Sequence, residues 1–421
     1  MGSKEEEMHG LSNEQLKERL LGEPDEERAC RSLQGDDETI RTAKEAESRM
    51  RVGVYAPSEK ELEEAGPQID KKMRNGEITV LIPMLEKGGS PNYTPRSVIS
   101  YFVENCQIPK SKIIVVDGGS GEEALEEVRS WNIPMISFRE TVYRIFRPLM
   151  CGILSLPSEK FRGKGIQVAL GFLVIEMMKR MGINNSSLVH LHDSELSGVD
   201  EYNGTRHELF PLVTNPEKHL HSQAIQIGRN NEAVHNARVA MQGIMHMHPD
   251  SGVRRYLEKI WERYVSLVWM CTGERIVNWE MLMSLPMTTG YCMEAALVLG
   301  TIGYDLERVG DPAQVVIPNP RLDGANGSHM EQIMMNMISR FMLTAVMTGT
   351  PPHQWNLGLI SELNYKFEEM PFIPMLPKEA GGVVCHPVSA DRIIPSTNTL
   401  LDQGFVDTDE LKRMVEECIL T

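Results

Sequence analysis

The segment SSLVHLHDSELSG, residues 186–198, joins a strand pattern to side chains that can bind a metal ion. Its apolar residues run to Leu191, and three oxygen-bearing side chains follow at Asp193, Ser194 and Glu195. Two carboxylates placed just after a buried strand can hold a hard divalent cation and leave coordination positions for phosphate oxygens. The same pattern in isolation is also typical of a solvated loop that caps the next helix.

Two other segments place polar side chains at comparable points. Asp117 ends the apolar run of residues 113–116 and is suited to accept hydrogen bonds from a nucleobase or a ribose. Lys164 stands between two glycines, where the backbone can approach a ligand closely and the amine can reach a base carbonyl or a phosphate. Each residue alone is more typical of a turn, but together with Asp193 they predict a ligand site.

The elements that must position these groups alternate between strand and helix. Buried-strand patterns at residues 78–82 and 113–116 are each followed by a glycine-bearing loop and a helical pattern. This order predicts an α/β fold with a mostly parallel sheet and right-handed crossovers. Ligands of such sheets bind outside the carboxyl ends of the strands, where residues 83–89 and 117–121 must lie. Residues 164–182 predict a buried helix.

The chain divides into three regions by composition. Residues 1–76 are rich in charge and predict an acidic helical extension, with a solvated charged arm as the alternative, whereas residues 77–345 have the strand and helix patterns of the main domain. Residues 346–421 predict a C-terminal segment that packs on this domain or on a dimer partner. Most of the 27 methionines stand at helical spacing, which favours core or dimer packing, and we expect a homodimer.

The overall composition limits the class of partner. A formal net charge of −16 argues against unspecific attraction to nucleic acid or to anionic membranes, because both require a continuous basic surface. The seven cysteines are scattered and never form a CxxC pair, which argues against a disulfide framework and a cysteine zinc site. The sequence has no apolar run long enough to span a membrane and no signal-peptide pattern. We therefore expect a cytoplasmic protein.

Five segments, taken in their order along the chain, resemble the nucleotide-sugar-binding segments of a known family. They are VLIPMLEKGG, IIVVDGGSGEEA, RGKG, LHDSEL and SLPMTTGYCMEAALV. The family is that of the retaining GT-A glycosyltransferases, and the resemblance is strongest to the glucosyl-3-phosphoglycerate synthases, over about residues 77–345. It implies a GT-A type fold and the transfer of glucose from UDP-glucose to 3-phosphoglycerate, with Mg²⁺ or Mn²⁺ as cofactor. GDP-mannose as donor or another small acid as acceptor are the alternatives.

The resemblance also implies the residues of the donor site. The implied nucleotide-sugar-binding residues are Pro83, Leu85, Glu86, Gly119, Ser120, Lys164, Asp193, Ser194, Tyr291 and Glu294. Glu86 stands where the family commonly has Asn. Glu294 would accept hydrogen bonds from the sugar hydroxyls with Tyr291 beside it, and we predict Glu294 and Asp193 as the catalytic residues. The retaining reaction needs no covalent nucleophile, since the acceptor hydroxyl can attack on the face that the nucleotide leaves.

The metal and acceptor sites follow from the same resemblance. Asp193 and Glu195 correspond to the family's D-x-D motif, with Glu195 in place of the second Asp, and the third ligand is either Asp323 or His329. The segment NNEAVHNARVAMQ resembles the part of the family that holds the acceptor phosphate. The implied acceptor residues are Asn236, Ala237 and Arg238, with Arg238 as the main phosphate contact.

Two further interpretations remain open on the sequence alone. Three H-x-H pairs begin at His190, His219 and His246, and alternate strand residues share a face, so the first pair could bind zinc in a hydrolase. That function requires tightly bound zinc, whereas a transferase requires exchangeable magnesium or manganese. Replacements such as Glu86 and Ala240 would also suit a non-catalytic binding protein, which would not hydrolyse a sugar donor.

Overall fold

The computed structural model describes most of the central part of the chain. The described residues are 53–84, 95–151, 163–193, 196–197, 204–226, 274–290, 293–294, 296–298, 300–301, 313–317, 321–322, 350–369 and 392–419. The first 52 residues of the predicted acidic extension lie outside them.

The strands are short and mostly buried. They are β1 (Gly53–Tyr55), β2 (Ile78–Met84), β3 (Ile113–Asp117), β4 (Met135–Ser137), β5 (Leu188–Leu191), β6 (Leu196–Ser197), β7 (His221–Gln226), β8 (Arg275–Asn278), β9 (Met287–Thr288), β10 (Ala313–Ile317), β11 (Arg321–Leu322) and β12 (Ile393–Ile394). Every residue of β2, β3 and β5 is buried, as expected for strands that are covered on both faces.

Helices lie on both sides of these strands. They are α1 (Glu59–Arg74), α2 (Pro95–Ser100), α3 (Glu122–Ser130), α4 (Phe138–Ile145), α5 (Arg147–Leu149), α6 (Lys164–Arg180), α7 (Gly204–Thr214), α8 (Trp279–Ser284), α9 (Leu357–Glu369), α10 (Thr397–Asp402) and α11 (Thr408–Ile419). A π-helix (Tyr101–Asn105) continues α2, and 3₁₀ turns occupy Lys110–Lys112 and Pro352–Gln354.

Eight strands form one sheet in the order β1-β10-β7-β8-β5-β2-β3-β4. All neighbours in it pair in parallel except β8, which runs antiparallel to both β5 and β7. The prediction of an α/β fold with a mostly parallel sheet is thus confirmed. The short pairs β6 with β11 and β9 with β12 are antiparallel and lie outside this sheet.

Helix α6 forms the centre of the core on one face of the sheet. Its residues from Gly165 to Ile175 are all buried, because the sheet covers one side and the C-terminal helices α10 and α11 cover another. This position explains why the helix is apolar all round instead of amphipathic. Helices α10 and α11 therefore pack directly on α6.

The opposite face is covered by α1, α2 and α7. Helix α1 begins at a capping box formed by Ser58 and Glu61, and it buries Leu62, Ile69 and Met73 on one stripe. Strand β1 pairs with β10 at the edge of the sheet. Strand β1 and helix α1 therefore pack on the sheet, and the apolar stripe of α1 suffices to dock it.

None of the helices in the described ranges is both long enough and apolar enough to cross a lipid bilayer.

Candidate functional site

Strands β2, β3 and β5 end at one edge of the sheet and form the floor of the candidate site. Met84 pairs with Asp117, and Leu81 pairs with Leu191, so the chain leaves all three strands side by side. A cleft of about 230 Å³, including the space open to solvent, lies at this edge. Its lining residues are Pro83, Lys164, Val168, Leu191, His192, Asp193, Arg275, Met293, Glu294 and Leu297.

Lys164 joins two carboxylates in this cleft that come from distant parts of the sequence. Its Nζ lies 2.5 Å from Asp193 Oδ1 and 2.9 Å from Glu294 Oε1. The side chains of Lys164, Asp193 and Glu294 are 19 %, 24 % and 8 % exposed, so the group is mostly shielded from water. Burial lowers the pKa of Lys164, but the two carboxylates together raise it by more, so the pKa lies above its ordinary value. The amine is therefore charged at neutral pH.

The glycines beside Lys164 fit the start of α6 against the segment after β9. Gly163 has a φ of +122°, and Ile166 N donates to Thr289 O at 3.2 Å. A Cβ built on Gly165 would lie 2.0 Å from Thr288 O, which no side chain tolerates. The glycines were predicted to let the backbone approach a ligand closely, but here they approach the protein's own backbone at residues 288–290. This contact brings Lys164 to the segment that contains Glu294.

The turn after β3 is held by hydrogen bonds to its own residues and to the end of β2. Asp117 is buried, and its Oδ1 accepts a hydrogen bond from Ser120 N at 2.7 Å. Gly118 N donates to Met84 O at 2.7 Å, and Gln167 Nε2 donates to the same carbonyl at 3.0 Å. Asp117 therefore shapes the turn that contains Gly119 and Ser120. Gln167, which the sequence did not mark as a site residue, ties the ends of β2 and β3 together.

Glu274 holds the backbone of Asp193 through a hydrogen bond. Its Oε1 accepts a hydrogen bond from Asp193 N at 2.6 Å, and His192 Nδ1 lies 2.9 Å from Asp193 O. Sequence reasoning missed Glu274 because it precedes an ordinary strand pattern and belongs to no recognisable motif. Its role follows only from the antiparallel pairing of β5 with β8.

The second oxygen of Glu274 belongs to a buried polar cluster under the cleft. His190 Nε2 lies 3.1 Å from Glu208 Oε2 and 3.6 Å from Glu274 Oε2, and His192 Nε2 lies 3.4 Å from Glu274 Oε2. The four residues are all 3 % exposed or less. A catalytic zinc ion keeps a coordination position open for substrate. These four described residues are too buried to offer such a position, so the cluster does not favour the zinc hydrolase.

The charges in this cluster shift several pKa values. Burial lowers the pKa of His190, but the carboxylates of Glu208 and Glu274 together raise it more, to about 9. Burial raises the pKa of Glu274, and the neighbouring histidines offset only part of that effect. Burial also lowers the pKa of His192, which favours its neutral form.

The structure brings four of the predicted site residues into one cleft, namely Pro83, Lys164, Asp193 and Glu294. Gly119 and Ser120 lie in the turn after the neighbouring strand β3. The remaining predicted site residues lie outside the described residues. They are Leu85, Glu86, Ser194, Glu195, Tyr291, Asn236, Ala237, Arg238, Asp323 and His329.

Comparisons with known proteins give similarity at the level of structure only. No family model matches the chain, and no curated protein matches its sequence. The chain is similar to solved structures of glucosyl-3-phosphoglycerate synthase from Mycobacterium tuberculosis. The complex with Mn²⁺, UDP and phosphoglyceric acid has 17 % identity and a TM-score of 0.46, and the match covers 70 % of this chain and 87 % of that chain. The complex with Mn²⁺, UDP-glucose and glycerol 3-phosphate has 17 % identity and a TM-score of 0.43, with 72 % and 89 % covered. The complex with Mg²⁺ and UDP has 18 % identity and a TM-score of 0.43, with 71 % and 86 % covered.

Proposed function

We propose that the protein is a retaining, metal-dependent glycosyltransferase that transfers glucose from UDP-glucose to 3-phosphoglycerate. The observation that supports this most directly is the convergence of Lys164, Asp193 and Glu294 in one cleft at the carboxyl edge of the sheet. Ligands of open α/β sheets bind at this edge. The order of the five sequence segments that resemble the family supplies the identity of the donor.

The groups near Asp193 suit a hard divalent cation. Asp193 offers a partly exposed carboxylate at the end of β5, and Glu195 stands two residues further along the chain. Together with Asp323 or His329 they form the proposed donor set, which is rich in oxygen as Mg²⁺ and Mn²⁺ prefer. A bound divalent cation would neutralise the negative charge of the donor diphosphate.

The side chains of the cleft would position the donor rather than form a covalent bond with it. Glu294 is suited to accept hydrogen bonds from sugar hydroxyls, and Lys164 holds its carboxylate in a fixed direction at 2.9 Å. The acceptor hydroxyl would then attack on the face that the nucleotide leaves, and the departing phosphate would take its proton. The protein's contribution is positioning and charge stabilisation.

The acceptor is assigned by sequence resemblance through Arg238. A guanidinium offers two parallel donors that match the oxygens of a phosphate or a carboxylate. Asn236 and Ala237 would line the same segment. A homodimer in the cytoplasm is part of this proposal, and light scattering on the 47.5 kDa chain tests the dimer.

Calorimetric titration with UDP-glucose, with and without Mg²⁺, tests the donor. We expect binding that depends on the metal, and no binding of UDP-glucose, UDP or GDP-mannose in either condition would overturn the function. A transfer assay with 3-phosphoglycerate, glycerate and other small acids then tests the acceptor. If another acid is glycosylated while 3-phosphoglycerate is inert, the transferase assignment stands and the acceptor assignment falls.

A further inference from the structure

A second site that could bind a metal ion lies beneath the cleft, on the other side of β5 from Lys164. His190 comes from β5, Glu208 from α7, and Glu274 immediately precedes β8. All three are buried, and one ligand atom of each lies within 4.8 Å of the others. We propose that His190, Glu208 and Glu274 form a buried structural site for a divalent transition-metal ion, with Zn²⁺ as the metal for which the geometry is suited.

The distances fit a tetrahedral ion. His190 Nε2 lies 3.1 Å from Glu208 Oε2 and 3.6 Å from Glu274 Oε2. Two ligands that are each about 2.0–2.2 Å from a tetrahedral zinc ion lie roughly 3.3–3.6 Å apart. The observed separations therefore match ligands of one ion after small rotations of the side chains.

The polar atoms of the cluster lack the hydrogen bonds that burial normally demands. Both ring nitrogens of His190 and the Oε1 atom of Glu208 are buried without a hydrogen-bond partner. Buried polar groups nearly always have a partner, and each exception needs an explanation. A metal ion bound through His190 Nε2 and the two carboxylates would give that nitrogen a partner and balance the buried negative charge.

His192 is placed to complete the coordination. Its Nδ1 lies 2.9 Å from Asp193 O, which fixes the proton on Nδ1 and leaves the lone pair on Nε2. That Nε2 lies 3.4 Å from Glu274 Oε2. A rotation of the His192 ring toward the ion would make it the fourth ligand of a closed site, as structural zinc requires.

The site would reinforce the cleft through Glu274. Its Oε2 faces the two histidines, and its Oε1 accepts the hydrogen bond from Asp193 N at 2.6 Å. An ion that fixes Glu274 would thereby fix the backbone of Asp193. This site is separate from the exchangeable metal proposed beside Asp193 and Glu195, and the inference does not depend on the transferase function.

The test is the metal content of the full-length protein after incubation with Zn²⁺ and extensive dialysis. We expect about one zinc per chain by mass spectrometry, since buried structural sites retain their metal. Glu208→Gln keeps the side-chain shape and should lose most of this zinc. Asp193→Asn, which alters only the site in the cleft, should retain it. Unmodified protein without zinc, or a Glu208→Gln variant that keeps the full amount, would overturn the proposal.

A second measurement needs no substitution. Protein stripped with a chelator and supplied with Co²⁺ should show the intense visible absorption of tetrahedral Co²⁺, and Zn²⁺ should displace it. Zinc should also raise the midpoint of thermal unfolding, because an ion that binds only the folded state stabilises it. The weak absorption of octahedral Co²⁺ together with an unchanged midpoint would overturn the proposal even if Glu208→Gln fails to fold. Loss of donor binding would not affect either result.

Discussion

At the scale of single residues, Lys164 balances the charge of the candidate site. One amine contacts both Asp193 and Glu294, and the pair of carboxylates has little exposure to water that could screen their repulsion. The sequence predicted Lys164 as a donor contact because of its glycine neighbours. It could not show the ion pairs, because residues 164, 193 and 294 come together only in the folded chain.

We predict that Lys164→Met lowers kcat/KM for transfer from UDP-glucose by at least about 100-fold, because the two carboxylates lose the cation that positions them. The free energy of unfolding should also fall by about 1–3 kcal/mol, since two partly buried carboxylates then face each other without a counter-charge. Steady-state kinetics and urea unfolding measure the two effects.

Lys60→Met is the matched control for this substitution. The Lys60 side chain is 85 % exposed, and its ion pair with Glu64 spans 3.9 Å, so both activity and stability should stay within experimental error. Full activity in Lys164→Met would contradict the role of Lys164 and would leave the ion pairs as a purely structural feature.

At the scale of elements, the contact between α6 and the segment after β9 determines the shape of the cleft. Gly165 permits this contact, since its Cβ would meet Thr288 O at 2.0 Å and Gly290 O at 2.7 Å. Both of these atoms belong to backbone, which cannot rotate away as a flexible side chain can. A larger residue must therefore push α6 and Glu294 apart.

We predict that Gly165→Ala destabilises the protein by roughly 1–3 kcal/mol, which is the usual cost of overpacking, and reduces donor binding as well. Gly204→Ala at the start of α7 is the matched control, because no described atom lies within 4 Å of a Cβ built there. Alanine in that helix should leave stability unchanged or raise it by up to about 1 kcal/mol. Equal effects of the two substitutions on urea unfolding would contradict the packing argument.

The sequence patterns predicted those elements whose residues repeat a local rule. Strands β2 and β3 were recognisable from their apolar runs, and α6 was recognisable as a buried helix from its uniform apolar composition. Strand β1 has only three residues, too few for a pattern, and its place in the sheet depends on β10, more than 250 residues away.

The buried cluster under the cleft shows the other limit of sequence reasoning. His190 and His192 could be placed on one face of a strand from their spacing. Glu208 lies in a helix where a glutamate would normally face water, and Glu274 precedes a short strand. Their burial beside the histidines follows from helix docking and antiparallel pairing, and neither event leaves a local signal in the sequence.

At the scale of the whole molecule, the edge of the sheet makes folding sensitive to acid. Tyr55 of β1 lies with its hydroxyl 2.6 Å from His219 Nε2, just before β7, and it can donate only to a neutral imidazole. Burial lowers the pKa of His219 to about 4, from an ordinary value of 6.5, and the charge of Lys218 adds to this effect. As the pH is lowered, His219 of the unfolded chain therefore takes up its proton at a higher pH than His219 of the folded chain.

This difference fixes the sign and the pH range of the last prediction. The stability that His219 contributes is complete above about pH 6.5, falls as the pH is lowered, and is lost below about pH 4. The variant His219→Gln does not titrate but can still accept the Tyr55 hydrogen bond, so comparison with it isolates the effect of His219 protonation on the free energy of unfolding. We expect the unmodified protein to lose about 1–3 kcal/mol more than this variant between pH 7 and pH 4 in urea unfolding. The contribution of His190 is common to both proteins and cancels in the difference. Parallel stability curves for the two proteins would show that the His219 proton is not linked to folding.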